Sequence, residues 1–379
     1  VNHPAFKLAR FFAIMQKEFI QMRRDRVTFA MMIGIPMIQL VLFGFAINSN
    51  PKHLPTAVYA ADNSPFSRTI IWALRNSSYF DLTREAHSAA EIQTLLAENK
   101  IQFAVTIPVD FSRKLLRGEQ PDLLLEADAT DPSAVGFAMS ALNALTTSVL
   151  NRDLKGPLAP LRAGDTPFHI ISHQHYNPES ITQYNIVPGL TGVMLTMTLI
   201  IITGLAITRE RERGTMENLL STPVHPGEVI VGKIVPYILV GYVQMTLVLL
   251  AAKFIFNVPF MGSVPLLLAL TLLFIVANLA VGITFSTIAK NQLQAVQMAF
   301  FFFLPSLLLS GYMFPFRGMP EWAQYLGECL PLTHFLRIVR GILLKGNGIG
   351  ECVPDLLAIG TFVAIVLTIA IKRYRQTLD

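Results

Sequence analysis

Six runs of apolar residues, each close to the length of a membrane-crossing helix, constrain this chain more than any other feature. A hydrocarbon core about 30 Å thick takes roughly 20 helical residues to cross. The runs at 27–47, 184–207, 234–254, 265–288, 296–314 and 353–371 meet or approach that length. In lipid no water satisfies exposed backbone groups, so each run is expected to be helical. Pro236 near the start of the third run and Pro305 within the fifth are tolerable, because neighbouring helices and Ser/Thr side chains re-satisfy the freed groups. The chain is 52% hydrophobic and only 15% charged, where ordinary domains carry about 25% charged residues. The net charge of +5 fits basic loops facing anionic membrane lipid better than a nucleic-acid surface, so no nucleic-acid partner is expected.

Orientation follows from Lys and Arg beside the spans. Lys7, Arg10, Lys17, Arg23, Arg24 and Arg26 precede the first. Arg209, Arg211, Arg213 and Lys233 join the second to the third, Lys290 joins the fourth to the fifth, and Lys372, Arg373 and Arg375 follow the sixth. Six spans place all four groups on one side, so both termini are expected in the cytoplasm. Arg317, Arg337, Arg340 and Lys345 after the fifth span dissent, with Glu321, Glu328 and Glu351 among them. Residues 1–26 interleave Phe6, Phe11, Phe12, Met15, Phe19 and Met22 with Lys7, Arg10, Lys17 and Arg23, the pattern of an amphipathic helix lying in the cytoplasmic interface. No cleavable leader pattern is evident in that stretch.

Residues 48–183 are then external. "TAVYAAD", "YFDLT", "IQFAVTIP" and "DLLLEADAT" read as strands. "SPFSRTIIWALRN", "SAAEIQTLLAENK" and "DFSRKLLRG" read as helices between them, and "SAVGFAMSALNALTTSVLNRDL" as a long closing helix. The expected fold is an α-helical polytopic membrane protein: six transmembrane helices, an N-terminal interfacial helix, and a large external α/β domain between spans one and two. A cytoplasmic loop is expected over 208–233, an external loop with short helices over 315–352, and a cytoplasmic tail over 372–379.

The stretch "GEVIVGKI", 227–234, satisfies seven of eight positions of the phosphate-binding pattern G-x-x-x-x-G-K-[ST]. That loop works by cradling phosphates with backbone N–H groups while Ser or Thr ligates magnesium. Ile234 stands at the hydroxyl position, two prolines precede the loop in place of a strand, and Lys233 opens a membrane span. No nucleotide site is expected in this chain. Nor does any G-x-S-x-G, H-E-x-x-H or Ser/His/Asp pattern suggest catalysis.

The charged run just upstream points elsewhere. "RERERGTMENLLSTPVHPGEVIVGK" closely resembles the cytoplasmic segment of type-2 ATP-binding-cassette exporter permeases. "PLTHFLRIVRGILLKG", 331–346, resembles that family's last external stretch, and the order of interfacial helix, span, external domain and five further spans agrees. The resemblance implies a half-transporter: two permease chains, identical or related, with two separate ATPase subunits that bind ATP and Mg. This chain itself would hold no cofactor. Carried over residue by residue, the ATPase-coupling candidates are Glu210, Arg211, Glu212, Gly214, Thr215, Glu217 and Leu220, with Arg10, Lys17 and Glu18 on the first helix as weaker ones.

Spans with kinks and mixed faces are candidate pathway linings. In the second these are Pro188, Thr191, Met194, Met197 and Thr198; in the fifth, Gln297, Phe301, Pro305 and Ser306. The resemblance places both spans near the dimer axis, while the Phe300–Phe303 run could equally face lipid. A Met- and Phe-lined route suits amphiphilic or hydrophobic substrates, and no acid in a span centre marks a proton-driven carrier. Cys329 and Cys352 share the last external loop, where they could pair or remain two unrelated thiols. His173 and His175 in "SHQH" offer two ligands, too few for a metal site, and read as a polar loop entering the second span. The function expected is the permease of an ATP-driven efflux pump in a bacterial inner membrane. The alternative is a membrane-anchored sensor or scaffold whose external domain binds a ligand or an envelope partner. In either case that domain could dock a periplasmic adaptor.

Overall fold

The computed structural model describes residues 52–162, 166–212 and 226–376. The expected interfacial helix over 1–26, the first span at 27–47 and the centre of the charged loop lie outside the described residues. Residues 54–175 build an α/β unit from β1 (Leu54–Ala60), α1 (Pro65–Asn76), β2 (Phe80–Glu85), α2 (Ala89–Ala97), β3 (Phe103–Ile107), α3 (Phe111–Leu116), β4 (Asp122–Asp128), α4 (Pro132–Thr146) and β5 (His169–His175). The local signals for these elements are explicit. Ser64 caps α1, with Pro65 in the first turn where its missing N–H costs nothing. Ser88 accepts from the N–H of Glu91, whose carboxylate reaches back to the N–H of His87 and closes the start of α2.

The sheet order is β2-β1-β3-β4-β5, with β3–β4 antiparallel and the other pairs parallel. One face buries Phe80, Phe103, Leu123 and Leu125 beneath α1, α3 and α4, including an edge-to-face Phe80–Phe103 pair at 5.6 Å. The other face buries Ala57 and Ala104 under Ile92, Leu95 and Leu96 of α2. Two expectations need correction. The closing helix stops at Thr146, where the hydroxyls of Thr146 and Thr147 take the carbonyls of Asn143 and Ala144 and compete with the helical pattern. The stretch containing "SHQH" is not a polar loop but the edge strand β5, paired with β4 along its whole length.

The remaining helices are α5 (Thr182–Glu212), α6 (Pro226–Phe254), α7 (Val264–Ile288), α8 (Gln292–Leu309), α9 (Glu321–Glu328), α10 (Pro331–Arg340) and α11 (Ile349–Gln376). Five of the described helices, α5 to α8 and α11, are long and apolar enough to cross a membrane. Helix α7 is their hub: it packs on both α5 and α11, and Phe274, Ile275 and nearly every residue from Ala277 to Thr284 are buried. Helix α6 exposes Leu239, Val243, Leu247 and Leu250, as a lipid-facing helix does. Burial in lipid supplies no hydrophobic gain between helices, so close packing must hold them. The α5–α7 crossing shows how. A Cβ added to Gly282 would stand 2.8 Å from Thr203 Cβ and 3.0 Å from the Ile200 carbonyl oxygen.

The fifth expected span ends early. Helix α8 stops at Leu309 rather than 314, because Gly311 turns the chain with φ +81°, a left-handed conformation that glycine adopts without strain. The following segment is more than a surface loop. Helix α10 inserts against the bundle, and Phe335 stacks flat on Phe274 with ring centroids 4.0 Å apart. Gly192 on α5 permits this approach: a Cβ there would lie 2.7 Å from Leu332 Cδ1.

Candidate functional site

At the end of α5 the charged run meets α8. Both oxygens of Glu212 accept from Gln292: Oε1 from the backbone N–H at 2.8 Å, Oε2 from the side-chain amide at 2.6 Å. Gln292 opens α8, whose first turn is further capped by Asn291 accepting from the N–H of Gln294. A carboxylate at a helix N-terminus meets unpaired N–H groups and the positive end of the helix dipole. These hydrogen bonds, the side-chain one first, hold the Glu212 carboxyl below its ordinary range. Glu212 therefore joins the expected coupling segment to α8, and Gln292 is the partner that sequence reasoning missed. Glu210 and Arg211 lie in the last turn of α5. Gly214, Thr215, Glu217, Leu220, Arg10, Lys17 and Glu18 lie outside the described residues.

The stretch 227–234 is helical throughout as the first turns of α6, with Pro226 at its start.

The pathway candidates divide into two groups. Pro188, Thr191 and Ser306 are buried within the chain's own packing, and Ser306 donates its hydroxyl to the Phe302 carbonyl at 2.8 Å. Met194, Met197 and Phe301 are exposed on α5 and α8, two helices that pack on each other, while Pro305 is half-buried. Thr198 accepts from the side-chain amide of Gln244 on α6 at 3.1 Å. The Gln297 Oε1, Gln244 Oε1, Thr196 Oγ1, Thr203 Oγ1 and Asn278 Oδ1 atoms are buried without a hydrogen-bond partner among the described residues. Polar groups left unpaired at membrane depth are costly and mark working surfaces. The polar residues of α6 and α7 could have been noticed as interruptions in apolar runs, but which of them face inward is set by packing alone. A cavity of about 590 Å³ opens at the top of α5 beside Thr182, Asn185, Ile186, Tyr312 and Met313.

The segment from Glu328 to Lys345 carries a charge network that the sequence listed only as a dissent from the charge rule. His334 presents Nδ1 to Asp355 Oδ1 at 2.7 Å and Nε2 to the Glu328 carbonyl at 2.8 Å. Each ring nitrogen faces an oxygen, an arrangement that favours the protonated ring. Burial pushes the His334 pKa down, but the hydrogen bonds to Asp355 and the Glu328 carbonyl overcome it and the net shift is upward. Arg337 makes a two-pronged contact with Glu328 at 2.5 and 3.0 Å, and Arg340 donates to the Gly311 carbonyl at 3.1 Å. Beyond it, Lys345 reaches into the α/β unit. Its ammonium contacts Asp128 and Asn99, donates to the Leu96 carbonyl at 3.1 Å, and lies 5.1 Å over the Tyr176 ring. The Lys345 side chain is 2% exposed and that of Asp128 8%, which makes this a buried tether between sheet and bundle. The cysteines do not pair. Cys329 is an exposed free thiol ending α9, and Cys352 is a buried free thiol packed in the core with Leu343 and Ile359.

Comparison with known proteins relates the chain to membrane transport permeases. The probable multidrug ABC transporter permease YbhR of Escherichia coli K12 is 30% identical over 336 residues, covering 89% of this chain and 90% of that protein. The inner membrane transport permease YhhJ of the same organism is 31% identical over 361 residues, covering 90% and 93%. The probable multidrug ABC transporter permease YbhS is 29% identical over 352 residues, 92% of each chain. Residues 26–372 match the family model described as ABC-2 family transporter protein, and this chain belongs to that family.

Proposed function

We propose that the chain is the permease subunit of an ATP-driven exporter that moves amphiphilic or hydrophobic small molecules outward across a bacterial inner membrane by alternating access. Two permease copies, identical or related, work with two separate ATPase subunits that bind ATP and Mg. Both termini and the 213–225 loop face the cytoplasm, and the α/β unit faces outward. The observation that carries this reading is the match along nearly the whole chain to permeases, two of them named as probable multidrug transporters. The Glu212–Gln292 contact supports it, because force applied to the charged loop would reach α8 directly and α6 through the chain. Exposed Met194, Met197 and Phe301 suit an apolar cargo.

The test is reconstitution of the chain with its co-purifying ATPase in vesicles, followed by a screen for compounds that stimulate hydrolysis. Stimulation by amphiphilic compounds, with efflux lost in Gly214→Pro or Glu217→Ala at unchanged abundance, is the expected result. An ATPase that never co-purifies, or turnover indifferent to every compound, would favour the sensor or scaffold reading.

A further inference from the structure

Strands β4 and β5 place three metal-ligating side chains on one sheet face. The parallel register sets Glu126 opposite His173, and His175 follows two residues later on the same side. One ligand atom from each of Glu126, His173 and His175 lies within 4.8 Å of the others, with His175 Nε2 and Glu126 Oε1 at 3.0 Å. The two imidazole rings sit 4.2 Å apart. Two histidines alone offer too few donors, and the fold supplies the third from a strand about fifty residues earlier in sequence.

We infer that Glu126, His173 and His175 bind one divalent transition-metal ion of the zinc class. The donor set is two imidazole nitrogens and one carboxylate oxygen, which suits zinc and its neighbours and not magnesium or calcium, which take all-oxygen shells. Donors around a tetrahedral zinc stand about 3.3 Å apart, given bonds of about 2.0–2.1 Å. The strands are fixed by the β4–β5 ladder and, beyond it, β3, so binding requires the set to close by side-chain rotation. Gln93 of α2 donates to Glu126 Oε1 at 3.1 Å and lies 3.5 Å from His175 Nε2. It orients the carboxylate.

Electrostatics favour a cation here. Glu126 is 6% exposed, yet its side-chain partners among the described residues are the neutral Gln93 amide and the His175 ring. The nearby Lys345 is taken up by Asp128. An exposed His173 leaves the site an entry path. Binding would stiffen the edge strand that leads toward α5 through Tyr176, which lies beneath the Lys345 ammonium. None of this depends on the cargo or on the ATPase.

The experiment uses the full-length, tag-free chain in detergent, stripped with chelator and dialysed against Zn²⁺. Expected are one zinc per chain by elemental analysis, d–d absorption on Co²⁺ substitution, and a thermal midpoint raised by zinc. His173→Ala, at an exposed position, should weaken zinc affinity at least about 100-fold and abolish the zinc-dependent midpoint shift. His169→Ala, on the same strand but paired with Gln120 at 2.9 Å, should leave both intact. The inference is overturned if the wild-type chain retains no zinc, if His173→Ala binds and shifts like wild type, or if His169→Ala loses zinc equally. Because His173→Ala is compared with wild type in the metal-free state first, a folding defect would show there. In that case Glu126→Gln carries the same test.

Discussion

Replacing Lys345 with Met tests whether the α/β unit and the bundle move as one body. The Lys345 ammonium is nearly inaccessible and sits against an equally hidden Asp128 carboxylate, with the Leu96 carbonyl, Asn99 and the Tyr176 ring around it. Met fills similar volume but leaves Asp128 buried with, among the described residues, the Thr130 N–H at 3.0 Å still donating to it. Removing one member of a buried ion pair costs about 3–5 kcal/mol, because the other charge is left uncompensated. Since 1.4 kcal/mol is a factor of ten, undocking of the two bodies should become favoured by roughly two to four orders of magnitude. Adding Asp128→Asn removes the orphan charge, and the double variant should recover most of the loss, giving strong coupling in a double-mutant cycle. Hydrogen exchange resolved by peptide is the direct assay. The end of α2 and the following turn, 95–101, should exchange faster in Lys345→Met, while β3 at the sheet centre holds. Unchanged exchange at 95–101, or additive single and double variants, would refute the tether.

Three further outcomes follow from the same packing and charge arguments. Gly282→Ala should lower the thermal midpoint and cost about 1–3 kcal/mol by forcing α5 and α7 apart, whereas Gly360→Ala, with nothing within 4 Å of the added carbon, should be neutral or better; equal midpoints would disprove the tight crossing. The His334 pKa is raised in the folded chain, so its stabilisation is fully present below the ordinary histidine value of about 6.5 and is lost as pH rises through the raised one. The wild-type midpoint, measured against His334→Asn from pH 6 to 9, should converge on the variant's at the alkaline end, and parallel curves would exclude a cationic His334. Glu212→Gln weakens the cap on α8, and in vesicles it should lower transport per ATP hydrolysed more than hydrolysis itself; an unchanged ratio would remove Glu212 from the coupling path.

How much was legible in the sequence varied by element. The spans at α5, α6, α7 and α11 could be read directly, because a long apolar run in lipid has no option but a helix. Strands β1 to β4 and helices α1 to α3 were legible from periodicity, a signal confined to a few neighbouring residues. The end of α8 was misjudged by five residues, since Phe314 and Met313 continue the apolar run past the glycine that turns the chain. The missed partner Gln292 is polar, common and exposed to no local pattern; its role exists only because α5 ends beside it.

By itself, the sequence determined that this is a membrane protein with an α/β unit and a charged run between two apolar spans. Hydropathy, periodicity and capping are local properties, and they act on stretches of one or two turns. The tertiary structure decided the rest. It made "HIISHQH" an edge strand, because a parallel pairing with β4 is invisible until the two strands meet. It folded α10 into the bundle despite His334 and Arg337, because their charges are met by Asp355 and Glu328 from elsewhere in the chain, while Arg340 keeps one donor on the Gly311 carbonyl and buries two others without a partner among the described residues. A charged residue reads as exposed in sequence because water is the default partner for charge; only the fold can bring a better-placed one.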